Sequence, residues 1–149
     1  MRLWHQHLIH YLDSTRLLGQ HRECCALRGN GWWKKHSVVD YVFKYDLAHL
    51  YAYHCIVMFE MGARHYNVNP EWYSRRYRGK TFGYAPNMSE IGSFVYNPIV
   101  NDKKFHCVYD EHDSSYLREC LLNLKSKNAE LINGETIDHM LIALDVNGL

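Results

Sequence analysis

The sequence predicts a mainly α fold: one compact helical domain with a long irregular insertion around 81–112. Three observations carry this. The most persistent apolar run, 47 to 63, places Leu47, Leu50, Tyr51, His54, Cys55, Met58 and Phe59 near helical spacing. Helix-start signals recur at Asp13-Ser14, Asp46, Asn69-Pro70-Glu71, Asp113 and Thr136. The 149 residues are 47% hydrophobic and 22% charged, which is ordinary globular usage and fits one domain better than two.

The elements follow in order. Asp13 or Ser14 caps a helix running to about Arg28, where Gly29-Asn30-Gly31 supplies a left-handed stop, with Leu17, Leu18, Cys24, Cys25 and Leu27 as apolar positions. A short element over 38–43 precedes the central helix 47–63. Asn69-Pro70-Glu71 offers a cap, a proline at the first helical position and an acid in the first turn, for a helix expected to end at Gly79. From 81 to 112 glycine, proline and asparagine break the pattern, with a short extended pair around 94–96 and 105–109. A helix capped at 113–115 buries Leu117, Cys120, Leu121 and Leu124, and one from Thr136 buries Ile137, Met140, Leu141 and Leu144.

Composition excludes disorder, collagen-like repeats and a charged tail. No run approaches the ~18 apolar residues of a membrane span, and the start Met1-Arg2-Leu3-Trp4-His5 has no signal-peptide stretch, so a soluble, cytoplasmic protein without a membrane partner is expected. The five cysteines are odd in number and form no Cys-x-x-Cys, so they read as reduced, mostly buried small hydrophobes. The eleven histidines show no His-Glu-x-x-His or comparable spacing, so no metal and no cofactor is expected.

The net charge of +1 conceals an asymmetry. Residues 1–80 hold 12 Lys/Arg against 6 Asp/Glu, and residues 81–149 hold 5 against 10. The first half also holds all four tryptophans, and basic plus aromatic is the composition of a surface that meets phosphate and stacks on bases. The alternative is a fold whose two halves attract each other.

Three segments carry candidate chemistry. On the first helix Arg16, Gln20, Glu23 and Leu27 lie near one stripe, which sets Glu23 beside Arg16 and Arg22, and Gly19 permits close backbone approach; a solvated Arg-Glu pair is the alternative. Gly31-Trp32-Trp33-Lys34-Lys35-His36 can stack and bind phosphate together, or anchor one Trp in the core with the lysines merely solvated. In 72–80, Trp72, Tyr73 and Tyr77 are interleaved with Arg75, Arg76, Arg78 and Lys80. Four cations without acids repel one another unless a polyanion lies near, and a helix dipole accounts for only one or two of them.

Met1-Arg2-Leu3, Leu17-Leu18-Gly19-Gln20-His21-Arg22-Glu23, Lys35-His36, Glu60-Met61-Gly62-Ala63-Arg64-His65-Tyr66-Asn67-Val68 and the segment 72–80 occur in an order that resembles the pyrimidine-dimer DNA glycosylases of the endonuclease V type. The resemblance covers about residues 1–80. It implies a compact all-α repair enzyme that cleaves a glycosidic bond and then the backbone, with the N-terminal amine as nucleophile. Carried onto this chain, the amine is that of Met1, expected to be retained before the bulky Arg2; Glu23 is the catalytic carboxylate and Arg22 a phosphate clamp beside it. An α-amine suits the role, because at its pKa near 7.7 to 8.0 roughly a tenth of molecules are neutral at pH 7.

The expected function is therefore a DNA glycosylase with abasic-lyase activity on damaged pyrimidines, acting as a monomer on double-stranded DNA with a damaged or abasic site. Arg2, Arg16, Lys34, Lys35, His36, Trp72, Tyr73, Arg75, Arg76, Arg78 and Lys80 form its DNA-binding set. A non-catalytic nucleic-acid-binding protein is the second reading, and a small metal-dependent hydrolase the third.

Overall fold

The computed structural model describes residues 2–33, 40–98 and 105–147. It is mainly helical, as the periodicity requires: α1 (Ser14–Arg28), α2 (Leu47–Ala63), α3 (Ser114–Ser126) and α4 (Ile137–Asn147), with short 3-10 turns between. Each of the first three starts on an aspartate. Asp13 accepts from Arg16 N, Asp46 from His49 N and Asp113 from Tyr116 N, satisfying N–H groups that a helix leaves open at its start.

α1 and α2 pack antiparallel: Ser14 Oγ meets Tyr66 OH at 2.6 Å at one end, and the Arg28 guanidinium lies over the Tyr51 ring at the other. Leu17, Cys24 and Leu27 of α1 face Leu50, Tyr53, Val57 and Met61 of α2 in a core that also takes Leu3, Leu8, Ile9 and Leu12 from the N-terminal arm and its 3-10 turn Gln6–Tyr11. Each fully buried leucine there contributes about 2–5 kcal/mol against alanine. Arg64, at the end of α2, ties the arm down by donating to Leu12 O (2.7 Å) and His10 O (3.2 Å) while Glu60 holds its Nε (2.8 Å). α3 and α4 pair through Leu117, Cys120, Leu121, Leu124, Met140 and Leu144. All five cysteines are free. Arg2–Glu119 and Lys44–Glu111 join the two halves at 3.6 Å, pairs worth only about 0–1 kcal/mol at such exposure.

Four expectations are corrected. Gly29 stops α1 with φ −95°, outside the left-handed region; glycine is required because a Cβ at Gly29 would stand 2.8 Å from Arg78 O, and one at Gly31 2.8 Å from Ala26 O. The element expected over 38–43 is a 3-10 turn, Asp40–Lys44, with 38 and 39 outside the described residues. The helix expected to run to Gly79 is a single 3-10 turn, Pro70–Tyr73. It stops because the Trp72, Ser74 and Tyr77 carbonyls accept from Arg28, while Arg78 N turns away to Gly83 O (2.8 Å) and Ala85 N to Arg76 O (2.7 Å) around a Tyr77–Tyr84 bridge. The extended pair at 94–96 and 105–109 does not form. The Gln6 side chain stands between those segments, donating to Tyr96 OH (3.1 Å) and accepting from Val108 N (2.8 Å).

The described parts of the segment, 81–98 and 105–112, hold no helix beyond the 3-10 turn Met88–Glu90, and the first of them closes the start of α2: Ile91 O accepts from Ala48 N at 2.8 Å. Gly92 sits at φ +98° against Asp46, where a Cβ would overlap the cap's carboxylate.

Candidate nucleic-acid interface and catalytic helix

The site is built on α1. Arg22 is exposed, Glu23 is half-buried with its Oε1 withdrawn from solvent, and Gly19 one turn earlier has only Arg22 Nη2 near its missing Cβ, at 3.8 Å. On the same helix Gln20 is buried and grips the N-terminal arm. Its Oε1 accepts from Trp4 N (2.6 Å) and its Nε2 donates to Arg2 O (3.0 Å). The Tyr53 hydroxyl of α2 lies 2.6 Å from Trp4 O and 3.1 Å from Gln20 Oε1, and the Tyr116 hydroxyl of α3 donates to Leu3 O at 2.6 Å. Residues 2–4 have no regular structure, so side chains of three helices satisfy their backbone groups. Residue 1, Lys34, Lys35 and His36 lie outside the described residues.

The Arg28 guanidinium, 0% exposed, organises the basic segment. Nη1 donates to Trp72 O (2.8 Å) and His54 Nδ1 (3.0 Å), and Nη2 to Ser74 O (2.7 Å) and Tyr77 O (2.9 Å). The Tyr51 and Trp72 rings lie 5.2 and 5.0 Å from its centre. Burial pulls its pKa down, yet a guanidinium remains charged at neutral pH, so carbonyl dipoles and two ring faces hold a cation inside the protein.

The cations of 72–80 are largely spent on the same loop. Arg75 donates to Phe94 O (2.9 Å), Arg76 Nε to Ala85 O (2.7 Å), and Arg78 to Arg28 O (2.9 Å) and Gly29 O (3.2 Å), where it caps the end of α1. Carbonyl oxygens therefore relieve the repulsion that sequence reasoning assigned to a polyanion. Arg76 and Lys80 stay exposed; Tyr73 is exposed beside Phe59, with ring centroids 6.0 Å apart, and Trp72 is half-buried. Arg16 pairs with its own cap Asp13 at 2.8 Å, and Arg2 leans over Trp4 and Tyr116 toward Glu119.

Two triads of potential metal ligands come together among the described residues, His21–Cys25–His54 and His5–Cys107–His112. Hydrogen-bond polarity unfits both. Arg28 can only donate, so His54 Nδ1 accepts and the ring hydrogen sits on Nε2, aimed at His21 Nδ1 (2.9 Å). The lone pair a metal needs is absent there, and a buried cation lies alongside. His5 Nδ1 and His112 Nδ1 each accept a backbone N–H, at 3.0 Å, and His112 Nε2 faces Tyr41 OH (2.7 Å). Burial lowers the pKa of all four imidazoles, His5 to about 4, keeping them neutral.

Sequence reasoning marked Arg22 and Glu23 but missed the roles of Gln20, Arg28, Tyr53 and Tyr116. Only Gln20 carried a signal, its place three residues before Glu23 on one stripe.

The model of the family described as pyrimidine dimer DNA glycosylase matches residues 1–74, so the arm, α1 and α2 are similar to this family of DNA-repair glycosylases. No curated protein and no solved structure matched the chain.

Proposed function

We propose that the protein excises damaged pyrimidines from duplex DNA and then cleaves the strand at the abasic site, through an imine on the amine of Met1. The observation that carries this is the seating of the arm: the Arg2 carbonyl, one residue from that amine, is held by Gln20, three residues before Glu23 on α1.

The neutral amine attacks C1′ of the deoxyribose and the base leaves, taking a proton. The sugar ring opens to an imine, and Glu23, an anion beside developing positive charge, stabilises it. Loss of the C2′ proton breaks the C3′–O bond, the phosphate-bearing strand departs, and water hydrolyses the imine to return the amine. Arg22 faces the phosphates, as do Arg76 and Lys80 and, from the segment after Trp33, Lys34, Lys35 and His36; Trp72 and Tyr73 stack against a displaced nucleotide. Arg2, Arg16, Arg75 and Arg78 act from behind this surface by holding the arm, the helix start and the loop. The protein acts as a monomer and needs no metal or cofactor.

Borohydride reduction during turnover of abasic duplex tests the reading. A covalent DNA adduct mapping to Met1 is expected, and acetylating the amine should abolish it, since an amide nitrogen forms no imine. DNA binding without any adduct would leave a non-catalytic binder, and an adduct on a lysine would remove Met1 from the mechanism.

A further inference from the structure

We propose that Gln20 of α1 and Tyr116 of α3 are positioning residues, which together fix the N-terminal arm so that the terminal amine meets the sugar beside Glu23. This rests on the imine reading above.

Gln20 is 2% exposed and its amide orientation is set by its partners: the oxygen must face Trp4 N–H and the nitrogen must face Arg2 O. It thus holds one donor and one acceptor of the arm two residues apart, which fixes the arm's register along the helix as well as its distance. Tyr116 completes the clamp from the opposite side through Leu3 O, with its ring stacked on His112 at 5.2 Å and the Arg2 guanidinium 5.9 Å from its centre. Leu3 and Trp4 already bury their side chains, at 0% and 7% exposure, so apolar packing holds the arm to the core without these bonds. What the bonds add is direction. Gln20 lies three residues before Glu23, so the arm's backbone is held by the same stretch of α1 that carries the carboxylate. Tyr116 lies beyond the segment that matches the family, which gives the acidic half of the chain a part in the site.

The test uses the full chain with Gln20→Met, similar in shape but without the amide, and Tyr116→Phe, which deletes one hydroxyl and keeps the ring. Two quantities are measured: the single-turnover rate of borohydride trapping on abasic duplex at saturating enzyme, and the affinity for duplex carrying a tetrahydrofuran analogue that forms no imine. Trapping should slow by roughly tenfold to a hundredfold, the scale of a misplacement near 1 Å, with analogue affinity unchanged. Tyr116→Phe keeps the test decisive should Gln20→Met fail to fold. Folded variants that trap at the wild-type rate overturn the proposal, and so does a parallel fall of rate and affinity, which would make the clamp merely structural. A wild-type protein that forms no adduct instead overturns the imine reading itself.

Discussion

His5 is fully buried, stacked on His112 with centroids 5.2 Å apart and edge-on to Phe105 at 4.8 Å, and burial takes its pKa down to about 4. In the unfolded chain the same imidazole titrates near 6.5, so between those values the unfolded state binds a proton that the folded state refuses. Stability is therefore full above about pH 6.5 and is lost as pH falls. One such group gives up about 1 kcal/mol between pH 7 and 5.5, and about 3 kcal/mol by pH 4. His54 and His112 are buried alike and their pKa values are lowered in the same direction by burial, so both add to the loss of stability on acidification. Urea unfolding at pH 7.0 and 5.5, for the wild type and His5→Asn, isolates one share. Asparagine keeps the acceptor that His7 N uses as its cap and removes the titrating ring, so any lost packing is independent of pH. The stability gap between the two proteins should narrow by about 1 kcal/mol on going to pH 5.5. A gap of constant size would show that His5 is not a buried neutral group in the native state.

Two further outcomes follow from the interface. Glu23→Gln should nearly abolish strand cleavage while duplex affinity stays level or rises slightly, because a carboxylate near phosphates opposes binding but supports a cationic transition state; single-turnover kinetics beside a binding titration checks this, and full activity would remove Glu23 from the chemistry. Arg76→Glu with Lys80→Glu, both exposed, should weaken binding to every duplex sequence alike and flatten the plot of log K against log salt by about 2, whereas an unchanged slope would put the phosphate-facing surface elsewhere.

The sequence by itself determined the elements that rest on local forces. Asp13, Asp46 and Asp113 each satisfy an N–H three residues on, and α2 repeats its buried residues at helical spacing, so the bounds of α1 and α2 and the start of α3 could be read without knowing what they pack against. The Arg22-Glu23 pair and the family were legible for the same reason, as short contiguous motifs. Tertiary structure decided what lay beyond one turn. Whether 74–79 continued as helix depended on Arg28, more than forty residues earlier, taking the carbonyls a helix needs. Arg28 and Gln20 occupy positions where a surface arginine and glutamine are the ordinary reading, and only the packing of α1 on α2 buries them. A buried polar group must find its hydrogen-bond partners wherever the fold brings them, at separations of 16 to 113 residues for the clamp on the arm, so its role is fixed by the assembled structure.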